Sequence, residues 1–161
     1  MLLHFYTQPY FLVIFFKNQI GFLYQFEADP ILLNAIVRQM VTLIPSDIEV
    51  LAGLELGGIS IVTLLSQYSG LPTAFVRKEA KKYGTSRLAE GVHINNRKVL
   101  IVEDVVTSGG QIFVSAHQLR QLGAEIDYAL CIIDRQEGAV DKLLAEGIAL
   151  LSLLKRRDFP T

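Results

Sequence analysis

The residues of this chain best suited to chemistry are two adjacent acids, Glu103 and Asp104, followed by Val105, Val106, Thr107, Ser108, Gly109, Gly110 and Gln111. Ionised carboxylates only accept hydrogen bonds, so the acid pair suits sugar hydroxyls, directly or through a divalent cation. The two glycines let the backbone approach a ligand closely and turn into a helix, whose first amides lack intrahelical acceptors and bind phosphate. Ile112, Ala116, Leu119 and Leu122 recur at helical spacing after them, which puts the Thr107 to Gly110 loop where the helix dipole favours an anion. Acids and loop together describe a site for a phosphorylated sugar. A Gly-Gly turn alone is more often an ordinary connection, and the acids and hydroxyls in register with it favour a site. The Gly-Lys-Ser/Thr ending and the Gly-x-Gly-x-x-Gly pattern of common nucleotide loops are absent here.

The elements that must position these groups are legible on either side. Val99 to Val102 is apolar at every position, as a parallel strand covered on both faces must be. Upstream, Asp29-Pro30 opens a helix that should run from Pro30 to about Leu43 and stop at Pro45. Ile48 to Ala52 reads as a strand feeding a glycine loop, Gly53 to Gly58, and Ile59 to Tyr68 as the next helix. Thr73 to Val76, Asp127 to Ile133 and Ile148 to Leu154 read as further strands, with helices expected over 110–122 and 138–146 and a polar tail after Leu154. This alternation predicts an α/β fold with a mainly parallel central sheet, helices on both faces and ligands at the carboxyl ends of the strands.

Three other groups are expected at that sheet edge. Glu55, Leu56, Gly57 and Gly58 form a candidate cradle of backbone amides for a second phosphate group. The stretch from Arg77 to Arg87 holds five of the fifteen basic residues, including Lys78 and Lys81, and also Tyr83. Charge runs are usually solvated loops, but this one follows a strand end in a chain of net charge −1, so positive charge is focused there. With Gly84 and Gly91 allowing movement, it reads as a basic flap that closes over a polyphosphate, excludes water and meets the charge of a leaving group. Arg135, in Asp134-Arg135-Gln136-Glu137-Gly138, is either a surface residue paired with a neighbouring acid or a planar fork for a carboxylate-bearing base.

The length of 161 residues and the 51% hydrophobic content fit a single domain, 1–161. The charge balance gives no general attraction to nucleic acid or an anionic membrane. Tyr10 to Phe16 is too short for the ~20 residues a bilayer span requires and lacks signal-peptide flanks, so it reads as a strand or packing arm. The single cysteine, Cys131, lies in an apolar run and reads as a buried hydrophobe, which fits a reducing cytoplasm. His4, His93 and His117 have no metal-ligand spacing.

The stretch from Lys98 to Gln111 resembles the phosphoribosyl pyrophosphate (PRPP) motif of type I phosphoribosyltransferases. That resemblance implies that Thr107 to Gln111, with Val105 and Val106 leading in, hold the 5-phosphate, and that Glu103 and Asp104 bind the ribose hydroxyls. It implies a pyrophosphate role for Glu55 to Gly58, where some orotate enzymes carry a lysine at the position of Gly57. Arg77-Lys78-x-x-Lys81 followed by a glycine flap, about residues 78–90, is similar to the orotate branch. This implies contacts from Arg77, Lys78 and Lys81 to PRPP or pyrophosphate, with part of the flap shared across a homodimer. Tyr83 stands where that branch usually has histidine. Asp134 to Gly138 resembles the orotate-binding segment, which implies that Arg135 and Thr107 grip orotate.

The likeness covers roughly Pro30 to Leu154 and fails before it, so residues 1–29 are expected to form a reduced or divergent N-terminal hood, with only Tyr24 and Lys17 as candidate equivalents. The implied reaction converts orotate and PRPP to orotidine 5'-monophosphate and pyrophosphate, a step of pyrimidine biosynthesis. Magnesium is held mainly by PRPP, with no dedicated protein cage, and Lys81, Glu103 and Asp104 are the catalytic candidates. A phosphoribosyltransferase for another base, such as a purine, and a non-catalytic PRPP sensor are the alternatives. Arg135 speaks against the first, and the lack of a helix-turn-helix pattern or basic domain against the second.

Overall fold

A computed structural model describes residues 25–78 and 88–159. After one helical turn, α1 (Gln25–Ala28), come α2 (Pro30–Met40), β1 (Val50–Leu54), α3 (Gly57–Ser69), β2 (Thr73–Val76), β3 (Ala89–Gly91), β4 (Lys98–Val106), α4 (Gly110–Gln121), β5 (Glu125–Asp134), α5 (Ala139–Ala145) and β6 (Ala149–Lys155). The strands form one sheet in the order β3-β2-β1-β4-β5-β6. All pairings are parallel except the antiparallel β2–β3 edge. The expected α/β class and parallel sheet are therefore present.

Alternating residues of the same strands feed two cores. Leu51, Leu100, Val102 and Leu130 pack with Leu32, Ile36 and Met40 of α2 and with Ile61 and Leu65 of α3. Val50, Ala52, Val99, Ile101 and Ala129 pack on the opposite face with Ile112 and Leu119 of α4 and Leu143 of α5. Strands apolar at every position require this double cover. Asp29 caps α2 as its sequence predicts, accepting from the amides of Ile31 at 2.9 Å and Leu32 at 3.0 Å, with Pro30 in the first turn. The expected end near Leu43 is a short 3-10 turn, Val41–Leu43, continuing α2. Cys131 is buried, and burial holds its thiol well above the usual value, so it behaves as the expected hydrophobe.

The differences lie at strand ends. β4 runs four residues beyond its apolar stretch and carries Glu103 and Asp104 within the strand, because the backbone ladder to β5 continues: Glu103 pairs with Cys131, Val105 with Ile133 and Val106 with Asp134. β1 lies two residues later than expected, so Gly53 is a strand residue and the turn into α3 is only Glu55-Leu56. β3 occupies the end of the segment expected to be a flap. Gly91, expected to help the flap move, has φ +105 and lies so close to β2 that a Cβ would stand 2.5 Å from the Thr73 carbonyl oxygen. α1, placed with the divergent arm by sequence, packs on α2 and α3. Residues 1–24, including Tyr10 to Phe16, Lys17 and Tyr24, lie outside the described residues, as does the 79–87 part of the flap with Lys81, Tyr83 and Gly84. Among the described residues no helix is long and apolar enough to cross a membrane.

Candidate active site

The β4–α4 junction has the form expected of an anion cradle. Gly109 adopts φ +72, and an added Cβ would sit 3.2 Å from Ala139 and 3.3 Å from Leu143, so conformation and packing both require glycine. No side chain caps α4, which leaves its first amides directed at the loop mouth. Thr107 and Ser108 are exposed there, and a hollow of about 50 Å³ is bounded by Thr107, Gly109, Gly110 and Gln111. Gln111 is oriented by donating from Nε2 to the Oγ of buried Ser115 at 3.2 Å.

The β1–α3 junction is tighter. A Cβ on Gly53 would stand 2.6 Å from the Gly58 carbonyl oxygen, one on Gly58 would strike the Val102 carbonyl, and one on Gly57 would strike the Asp104 carboxylate. The first turn of α3 therefore rests directly on β1 and β4. The Glu55–Leu56 peptide is cis, and Leu56 is 77% exposed. Of the four residues expected to offer amides, Glu55 is committed elsewhere, donating to the Val76 carbonyl at 2.9 Å. Its side chain instead accepts from the Lys78 amide at 2.5 Å, fixing the root of the basic segment. Leu56, Gly57 and Gly58 remain as the amides of an uncapped helix start.

Between these junctions lies an open cleft of about 310 Å³, with Glu55, Leu56 and Gly57 on one wall, Glu103, Asp104 and Gln111 on the other, and Lys78 at its edge. Arg77 is separated from Lys78: it lines a second hollow of about 260 Å³ with Leu56, Ile59 and Phe75, and among the described residues its buried Nε has no hydrogen-bond partner. Arg135 ties the ends of β4 and β5 through its amide, which donates to the Val106 carbonyl at 2.9 Å. Its guanidinium lies 3.0 Å from the Glu137 carboxylate, both half exposed, and it does not line the cleft.

The acids are electrostatically loaded. Asp104 accepts from the Val105 amide at 2.6 Å, and Glu103 from the Asp104 amide at 3.2 Å. Burial, then the charge of Asp104, push the Glu103 carboxyl up to about 8, with Lys78 pulling weakly the other way. Glu27 of α1 is the group that sequence reasoning missed. Burial and then Asp104 push it up to about 7, and among the described residues its buried Oε1 has no hydrogen-bond partner. Nothing in local sequence pairs residues 27 and 104; its one signal is an acid two positions before the Asp29 cap. Among the described residues no group of three or more His, Cys, Asp or Glu side chains is arranged to hold a metal. Glu103 and Asp104 are a two-carboxylate donor set, which fits a hard divalent cation that brings most of its ligands on a polyphosphate.

Comparison with known proteins identifies one family. The model of the phosphoribosyl transferase domain matches residues 25–145. Over 135 residues, 84% of this chain and 75% of the relative, the sequence is 43% identical to an orotate phosphoribosyltransferase of a Nocardioides species. Among solved structures, a phosphoribosyltransferase from Corynebacterium diphtheriae matches with a TM-score of 0.77 at 30% identity, covering 84% of this chain and 82% of that one. The Mycobacterium tuberculosis orotate phosphoribosyltransferase in complex with PRPP matches with a TM-score of 0.74 at 28% identity, covering 84% and 80%.

Proposed function

The chain belongs to the phosphoribosyl transferase domain family, and we propose that within it the protein is an orotate phosphoribosyltransferase, converting orotate and PRPP to orotidine 5'-monophosphate and pyrophosphate. The observation that carries this reading is the single cleft shared by Glu55–Gly57, Lys78, Glu103, Asp104 and Gln111, in a chain 43% identical to an enzyme of that name. The uncapped start of α4, with Thr107 to Gly110, takes the 5-phosphate. Glu103 and Asp104 accept from the ribose hydroxyls. The amides of Leu56, Gly57 and Gly58 face the diphosphate, with Arg77, Lys78, Lys81 and Tyr83 supplying charge and hydrogen bonds around it.

Such a transfer needs no protein nucleophile. As the diphosphate departs, positive charge develops at ribose C1, so the protein must orient the attacking base nitrogen and neutralise the leaving group. Bound with the diphosphate, Mg2+ adds to that neutralisation, and Glu103 and Asp104 are the residues that would meet it from the protein side. Arg135, turned from Glu137 to substrate, gives the carboxylate of orotate a planar partner, with Thr107 beside it. A homodimer sharing flap residues completes the reading.

The test is the loss of orotate absorbance with PRPP and magnesium, run beside adenine and guanine. Dependence on PRPP and preference for orotate are expected. Arg135→Ala should lower kcat/KM for orotate by about ten- to a hundredfold, the worth of a charged hydrogen bond, while PRPP affinity holds. Turnover of a purine in place of orotate would replace the proposed base.

A further inference from the structure

The loop assigned to the 5-phosphate brings no cation of its own. No residue from Val105 to Ile112 is basic, and Glu103 and Asp104 stand beside it. A dianion held by helix amides and a hydroxyl, beside the Asp104 carboxylate and with no basic side chain in the loop, leaves excess negative charge that a nearby cation would relieve. α5 offers one. The Nζ of Lys142 lies 3.9 Å from the point where a Cβ on Gly110 would stand, and Ser108 Oγ lies 3.7 Å from the same point; apart from Gly109, Gln111 and the local helix backbone, no other heavy atom of the described residues lies within 4 Å. The missing side chain at Gly110 thus leaves an open path from the ammonium to the hydroxyl that marks the loop mouth.

The lysine is directed there. Its Nζ rests 5.4 Å from the centroid of Phe113, one turn into α4, and Phe113 stacks on His117 with an interplanar angle of 3°. The packing of Gly109 on Ala139 and Leu143 fixes α5 against the loop. Among the described residues Lys142 forms no ion pair.

We propose that Lys142 is a further binding residue for the sugar's 5-phosphate, reaching past Gly110 to the anion held by the Thr107 to Gly110 loop. This rests on the PRPP reading above. Calorimetric titration of ribose 5-phosphate and, separately, pyrophosphate into the wild type, Lys142→Met and Lys142→Arg tests it. Lys142→Met should bind ribose 5-phosphate about three- to tenfold more weakly, a loss sized for an exposed cation and shrinking with added salt. Pyrophosphate affinity should be unchanged, and Lys142→Arg should restore binding. Equal ribose 5-phosphate affinity in the wild type and Lys142→Met would overturn the assignment, as would a loss shared equally by both ligands. A wild type that binds pyrophosphate and not ribose 5-phosphate would overturn the underlying reading of the loop.

Discussion

The β1–α3 and β4–α4 junctions use one sequence grammar, an apolar strand followed by glycines and a helix, yet they are built for different work. At β1–α3 the glycines are consumed by packing: Gly53, Gly57 and Gly58 leave no room for a Cβ beside α3, Asp104 and the Val102 carbonyl. At β4–α4 only Gly109 is tightly packed, while Thr107 and Ser108 stay exposed and a Cβ on Gly110 would meet only the Ser108 Oγ and Lys142 Nζ at ordinary contact distance. The first junction packs its glycines against Asp104 as well as ending in an uncapped helix; the second leaves its hydroxyls exposed, which is where the proposed reading puts the 5-phosphate. A glycine loop in a sequence therefore does not by itself say which of the two it is.

The largest effect should come from breaking the seat. Gly57→Ala drives a methyl into the Asp104 carboxylate, and displacing a positioned group by about 1 Å costs on the order of a hundredfold in rate. We expect kcat/KM for PRPP to fall by about that factor with the circular dichroism spectrum retained. Wild-type turnover in Gly57→Ala would show that the position of Asp104 is not critical, and the contrast between the junctions would lose its meaning.

Gly109→Ala tests the other side with a smaller effect. Left-handed backbone costs a residue with a Cβ about 1–2 kcal/mol, and the methyl would also crowd Ala139. Urea unfolding should report a loss of that order, accompanied by weaker ribose 5-phosphate binding as the amides of α4 shift. If stability drops and affinity does not, the loop geometry serves folding alone.

This asymmetry also explains what could be read from sequence. Val99 to Val102, Thr73 to Val76 and the Asp29-Pro30 cap state their structure locally, through unbroken apolarity or a capping carboxylate, and they appear as expected. Side-chain polarity ends a strand too early, because Glu103 and Asp104 continue the β4 ladder through their backbones. β3 was invisible because Ala89-Glu90-Gly91 has no pattern of its own and becomes a strand only by pairing with β2. The acids, the hydroxyl loop and Lys78 were legible as types in order, and they do meet at one cleft or its adjoining loop. Glu27 was not, since its relation to Asp104 exists only after α1 packs on the sheet's helices.

The smallest expected effect concerns the charge that burial, and then the neighbouring acid, suppress on Glu103. With its carboxyl pushed from 4.5 up to about 8, Glu103 keeps a proton in the folded chain that the unfolded chain loses at lower pH. Between those values the folded state binds more protons, so this group's contribution to stability is complete below about pH 4.5 and is lost as pH rises through 8. Glu103→Gln is neutral at every pH and removes that slope. Its melting temperature without ligand should match wild type at pH 5 and exceed it by about 2–4 °C at pH 8.5, corresponding to a modest gain for a half-buried group in a chain of this size. Glu27, pushed up to about 7, should add a smaller total change that ends a unit lower. Parallel melting curves for the two proteins from pH 5 to pH 9 would show instead that Glu103 is solvated and ionised throughout. The acid pair would then belong with the open β4–α4 junction, and only Asp104 with the packed one.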